Sequence, residues 1–135
     1  MIRELNSSDK EWCVRLFSKY TKQLGNLSGG TWFWRMEQAN INTGTEKLIG
    51  VERLAFAHYR ARRDGVNVLY EIAVHPIAQG QGIGKALVEY IGRPMNVKTD
   101  YNNTVAKCMY QRLGFTITDY SVAKSGKEMV AYSWR

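Results

Sequence analysis

Residues 79 to 85 read Gln79-Gly80-Gln81-Gly82-Ile83-Gly84-Lys85, with glycine at alternate positions. The stretch follows the apolar run Val66 to Pro76 and opens a segment of helical periodicity. A strand must therefore feed a helix through a turn built of glycine, which restricts the chain to folds that alternate the two. Such a turn suits an anion. With no Cβ in the way, backbone N–H groups can approach a phosphate closely. The first turn of the helix behind adds unpaired N–H donors and the positive end of its dipole. The heptapeptide implies a phosphorylated cofactor.

Register narrows the choice. A dinucleotide fingerprint, G-x-G-x-x-G, begun at Gly80 would need glycine where Lys85 stands. A P-loop ending at Gly84-Lys85 would need glycine at 79 and Ser or Thr at 86, where the chain has Gln79 and Ala86. Two readings remain: an ordinary glycine-rich turn, or Gln-x-x-Gly-x-Gly as a signature in its own right. In the second form the segment resembles the acetyl-CoA signature of the GNAT family of N-acetyltransferases. The segment Asn103-Thr104-Val105-Ala106-Lys107-Cys108-Met109-Tyr110-Gln111-Arg112-Leu113-Gly114-Phe115 is similar to that family's other signature, N-x-x-A-x-x-Φ-Y-x-x-Φ-G-F. The two stand in the family's order with one strand between them. Ile72-Ala73-Val74-His75-Pro76 and the closing hairpin extend the likeness, whereas residues 25 to 50 match nothing in particular.

Periodicity supplies the elements. Residues 2 to 6 read as a first strand, and Ser8 with Glu11 as a capping box that opens a helix. Trp12, Cys13, Leu16, Phe17, Tyr20 and Leu24 recur at helical spacing, with Gly25 as its stop. Residues 25 to 45 fit either a short second helix or a loop. Strands are expected near 46 to 51 and 53 to 61, then a hairpin turn at Asp64-Gly65 and a strand over Val66 to Val74. That strand is apolar at nearly every position, as a central strand covered on both faces would be. Gly82 to Ile91 reads as a helix with Ile83, Leu87 and Ile91 on one stripe, and Met95 to Thr99 as a strand. Asn103 to Leu113 reads as a helix with Val105, Met109 and Leu113 one turn apart, capped by Gly114. Phe115 to Val122 and Glu128 to Trp134 close the chain as a hairpin across Ser125-Gly126. The class is α/β, and the resemblance implies the GNAT fold: a mixed, mostly antiparallel sheet of six to seven strands with about four flanking helices, splayed in the middle.

At 135 residues the whole chain, 1 to 135, is expected to form one domain with a real core. No apolar run approaches the roughly 20 residues that span a bilayer, so a soluble cytoplasmic protein without membrane partners is expected. Cys13 and Cys108 lie far apart, without CxxC spacing or paired histidines, and read as small core residues rather than metal ligands. No metal is expected. The net charge of +7 favours an acidic partner. A CoA site accounts for part of it. The densest cluster, Arg60, Arg62 and Arg63, flanks a hairpin turn and reads as a solvated end, so nucleic acid is not the expected partner.

The resemblance also assigns roles. Its implied chemistry is acetyl transfer from acetyl-CoA to a primary amine of a small molecule, peptide or protein. The alternative is a non-catalytic module that binds acetyl-CoA or CoA and regulates a protein partner; in either case a monomer or homodimer is expected. Ile72, Ala73 and Val74 would lie along the pantetheine arm, with backbone groups of Ile72 and Val74 pairing to it. Backbone N–H groups of Gln79, Gly80, Gln81, Gly82, Ile83, Gly84 and Lys85 would hold the pyrophosphate. Asn103 matches a side-chain amide reaching toward the cofactor. Ala106 and Tyr110, four apart, share a helical face, and Tyr110 matches the residue beside the thioester sulfur. Its competing role is plain core packing with Phe115.

The general base is the open question. Glu71 is a charge inside an apolar strand, suited either to take the amine proton or to form a structural ion pair. Strict alternation sets it with Leu69 and Ala73, opposite Val68, Tyr70, Ile72 and Val74, unless a bulge re-aims it. The family's bases on this strand match positions 68 and 70, here Val68 and Tyr70. His58 and His75 are weaker candidates. Trp32, Phe33 and Trp34 fall where the family builds its acceptor site, and fit either an aromatic wall for an amine or a lid on the core.

Overall fold

The computed structural model describes residues 1–20 and 29–135, and builds them into three layers. The elements are β1 (Arg3–Glu4), α1 (Lys10–Tyr20), α2 (Gly29–Gln38), β2 (Glu46–Val51), β3 (Ala55–Ala61) and β4 (Asn67–Val74). They continue with α3 (Ile83–Ile91), β5 (Met95–Asp100), α4 (Thr104–Arg112), β6 (Thr116–Val122) and β7 (Glu128–Trp134). The sheet has seven strands in the order β1-β2-β3-β4-β5-β7-β6. Only β4 and β5 run parallel, joined through α3, and every other pair is antiparallel. This is the mixed, mostly antiparallel sheet expected from the sequence.

The sheet divides the core. Ala55, Ala57, Leu69, Met95, Val97, Val130, Tyr132 and Trp134 point to the side covered by α3 and α4. Leu48, Phe56 and Ala73 point to the other side and meet Cys13, Leu16 and Phe17 of α1 with Trp32, Phe33 and Met36 of α2. The unmatched N-terminal region thus contains a helix, not a loop. Trp32 and Phe33 are buried lid residues, with Trp32 stacked on Phe17 at 4.5 Å, while Trp34 of the same helix is exposed.

Several expectations need correction. The capping box forms two residues early. Asn6 Oδ1 accepts from Ser8 N at 2.8 Å and Asp9 Oδ2 from Asn6 N at 3.0 Å, closing a short 3-10 turn, Ser7–Asp9, ahead of α1. Asp9 prevails because its carboxylate also takes a 2.7 Å bond from Arg3 and one from Trp12 Nε1 at 3.0 Å, tying β1 to α1. Val105 is not a core residue; it is 80% exposed on the outer side of α4. Cys108 is exposed too, and only Cys13 is buried. Leu24 and Gly25, the expected end of α1, lie outside the described residues. Arg62 pairs with Asp64 at the hairpin end, as a solvated turn requires. No helix among the described residues is long and apolar enough to cross a membrane.

Candidate active site

β4 and β5 pair over only three rungs, Asn67–Met95, Val68–Asn96 and Leu69–Val97, and then part. The second halves of both strands therefore face each other across a gap. His75 N donates to Leu54 O at 2.7 Å, which turns the backbone of His75 and, two residues back, Ala73 toward β3. The groups of Ile72 and Val74 are left facing the gap, and of these Val74 O already accepts from Gln79 Nε2. Ala73 is different: its backbone faces β3 and its side chain is buried against α1 and α2, so it can only back the wall.

The glycine turn stands at the C-terminal end of β4. Gly80 and Gly82 have φ of +82° and +78°, a left-handed region that any side chain would strain, and nothing lies within 4 Å of where their Cβ atoms would be. Gln79 N is tied to Pro76 O, and Ala86 N is the next to find a backbone carbonyl, that of Gly82 at 2.9 Å. The intervening N–H groups, Gly80 to Lys85, carry no hydrogen-bonding partner among the described residues and sit at the start of α3. That open cradle fits a pyrophosphate. Gly84 serves packing instead, since a Cβ there would meet Met109 Sδ of α4 at 3.2 Å. Gln79 is exposed, and its Nε2 donates to Val74 O at 3.1 Å, which braces the turn against the strand.

α4 begins at Asn103, whose Oδ1 accepts from Ala106 N at 3.1 Å. That oxygen is spent on capping the helix, and only the amide NH2 remains for a ligand. Tyr110 is buried, its ring 5.3 Å from Phe115 and 5.7 Å from Tyr132. It packs in the core and also stands on the α4 face expected to border the cofactor. Burial, with Tyr132 adding to it, raises the pKa of its phenol and keeps it protonated. The neighbouring Tyr132 hydroxyl is sealed from solvent with no hydrogen-bond partner among the described residues.

Glu71 occupies a place that simple alternation misassigns. β3 and β4 change register between His58 and Tyr59: His58 opposes Glu71, and Tyr59 opposes Leu69. Tyr70 is thus an extra residue, a bulge. Leu69 joins the α3/α4 core and Ala73 the α1/α2 core, so these two no longer share a face. Tyr70 and Glu71 both turn to the α1/α2 side, where each meets His58. Glu71 Oε2 lies 2.6 Å from His58 Nδ1, and Glu46 Oε2 lies 2.9 Å from His58 Nε2. Burial by itself would lower the pKa of His58, but the hydrogen bonds to Glu46 and Glu71 outweigh it, and the net shift is upward. An imidazolium between two carboxylates carries a net charge of −1. The ion pair expected as one role of Glu71 is therefore present. His75 is engaged elsewhere, capping the turn Pro76–Ala78 through Ile77 N.

A cleft of about 450 Å³ opens on the α1/α2 side of the sheet at the point where β4 and β5 begin to part. Val68, Tyr70, Asn96, Lys98, Ser133 and Arg135 are among the residues that line it. Sequence reading found neither the cleft nor the Glu46–His58 pairing. The available signal was a histidine and a glutamate inside adjacent apolar strands, which invites the question of whether their register joins them.

Residues 31–117 match the family model described as an acetyltransferase (GNAT) domain. The chain is 38% identical over 117 residues to the 5-NmdU N-acetyltransferase of Pseudomonas phage PaMx11, covering 81% of this chain and 80% of that protein. Its fold is shared with the ribosomal-protein-S18-alanine N-acetyltransferase of Escherichia coli, at a TM-score of 0.76 and 19% identity over 98% of this chain and 91% of that one. It is shared also with a Salmonella typhimurium chain solved with acetyl-CoA, at a TM-score of 0.68 and 14% identity over 100% and 92%. With both signatures set on one split sheet, the chain belongs to the GNAT family and is an N-acetyltransferase that takes its acetyl group from acetyl-CoA.

Proposed function

We propose that residues 1–135 act as one domain, in the cytoplasm, transferring acetyl to a primary amine that enters the cleft beside Tyr70. The observation that carries this reading is the parting of β4 and β5 directly at that cleft. With the pyrophosphate held at Gly80 to Lys85 and the arm running back along Val74 and Ile72, the acetyl end arrives at the apex of the gap. The phage relative's acceptor, 5-NmdU, makes an amine of similar kind the leading candidate here.

The amine must lose a proton. An alkylammonium at neutral pH is roughly three units below its pKa, so freeing the lone pair costs roughly 4–5 kcal/mol. Glu71 accepts that proton, and the pair of carboxylates around His58 has room for one positive charge. Nitrogen then attacks the acetyl carbonyl, the C–N bond forms, and the C–S bond breaks. Tyr110 donates a hydrogen bond to the departing sulfur. The nitrogen sheds its second proton to become the amide, that proton makes the thiolate a free thiol, and Glu71 returns the first proton to solvent. The ordinary phenol pKa is above that of a thiol, and burial raises it further, so a strengthening hydrogen bond serves better than full transfer from Tyr110.

The carboxylates around His58 offer candidate bases, which supports catalysis over a non-catalytic CoA-binding module. Release of free thiol from acetyl-CoA, measured across simple amines, peptides and amine-bearing nucleosides, tests the reading. Amine-dependent release supports it; tight CoA binding with no release for any acceptor overturns it.

A further inference from the structure

The side chains lining the cleft include two cations, Lys98 and Arg135, and no carboxylate. Neither cation has an acidic partner among the described residues. Unneutralised cations on one concave wall focus a positive potential that draws anions and repels a polycationic acceptor. Asn96 agrees. Asn96 Oδ1 accepts from Ser133 Oγ at 3.0 Å, so the free end of that amide is its NH2 donor. The free ends of the Lys98, Arg135 and Asn96 side chains are therefore donors, which complements a group made only of acceptors.

The opposite side of the cleft has another character. Tyr70 is 40% exposed there, a flat platform for an aromatic ring. Behind Tyr70 stand His58 and Glu71, part of a cluster whose net charge is negative. An ammonium is favoured at that end and an anion at the other. The volume, about 450 Å³, is that of a site for one small ligand or one unit of a polymer.

We propose that the acceptor amine belongs to a nucleotide, its base stacked at Tyr70 and its phosphate held by Lys98 and Arg135. This rests on the acetyl-transfer reading above and adds the anion to it. The phosphate could be that of a free nucleotide or of a strand, and the two are separable.

The test compares three acceptors that share one amine-bearing pyrimidine base: the nucleoside, its 5′-monophosphate, and the same unit within a short single-stranded oligonucleotide. A peptide with an acidic side chain beside its amino terminus is the fourth. With acetyl-CoA saturating, kcat/KM for at least one phosphorylated form should exceed that of the nucleoside about tenfold or more, an advantage of about 1.4 kcal/mol. A better monophosphate identifies a free nucleotide as the source, and a better oligonucleotide identifies a strand. Lys98→Ala combined with Arg135→Ala should bring the ratio close to one, whereas Lys98→Arg, which keeps the charge, should preserve it. Equal rates for nucleoside and phosphorylated forms would overturn the proposal while leaving acetyl transfer standing. A preference that survives both alanines, or a peptide that outperforms every nucleotide, would also overturn it. No thiol release with these or with simple amines would overturn the acetyl-transfer reading itself.

Discussion

His58 Nδ1 stands 2.6 Å from Glu71 Oε2 across a register shift that makes Tyr70 the extra residue of β4. One inserted position thereby places a carboxylate, an imidazole and an exposed phenol on a single face of the sheet. The same face carries the cleft, and the same strand carries the gap for the cofactor arm. The placement of Glu71 beside His58 depends on this local irregularity.

Glu71→Gln keeps the size of the side chain but cannot take a proton. Turnover should fall by about a hundredfold or more, the range of general base catalysis, with little change in KM for acetyl-CoA. Glu46→Gln removes the more distant partner of His58 and should cost less. Steady-state rates over pH 6 to 9, as a working range of about three units, check both variants. A Glu71→Gln enzyme as fast as its parent would reduce that residue to a structural ion pair.

His58 also leaves a mark on stability. Its folded pKa is raised, so the native state holds a proton that the unfolded chain releases at about pH 6.5. The contribution is complete below that value and is lost as pH rises through the folded pKa. Thermal midpoints should therefore decline more steeply above pH 6.5 for the parent than for His58→Gln. Parallel curves would contradict the upward shift.

Much of this molecule is legible in the chain, and the exceptions have physical causes. Gln79 to Lys85 announces itself because left-handed backbone at residues 80 and 82 demands glycine, a local requirement visible in local text. The strands over 46–51 and 128–134 are likewise found where apolar patterning places them. The faces of β4 are not legible, because a bulge is a property of two strands in register and its sequence shows no glycine or proline to mark it. Asn6 and Asp9 displace Ser8 and Glu11 as the cap because Arg3, from a separate strand, reinforces Asp9. Val105 matches an apolar stripe in spacing, yet α4 is covered on one side only. The cleft needs β4, β5, β6 and β7 together, so no single segment foretells Lys98 beside Arg135.

Tyr110→Phe removes one oxygen from a ring already packed between Phe115 and Tyr132. A nearly volume-conserving change in such a core costs less than about 1.5 kcal/mol. Stability should hardly move, while kcat falls because the departing sulfur loses its donor. Calorimetry alongside steady-state kinetics separates the two roles, and unchanged kcat would leave Tyr110 with packing alone.

Gly82→Ala places a side chain at φ +78° in otherwise open space. Strain of about 1–2 kcal/mol follows, together with a methyl group among the N–H donors. The dissociation constant for acetyl-CoA, read by titration calorimetry, should rise by about tenfold, an energy of about 1.4 kcal/mol. Undiminished affinity would mean that the phosphates bind elsewhere.

The most direct trial of the whole reading is a product balance. Protein, acetyl-CoA and an amine acceptor are incubated, free thiol is counted, and the acceptor is examined by mass spectrometry. One N-acetylated amine for each thiol released, abolished in Glu71→Gln, is the predicted result. Thiol release without acetylated amine, or none with any acceptor while acetyl-CoA remains bound, would contradict it.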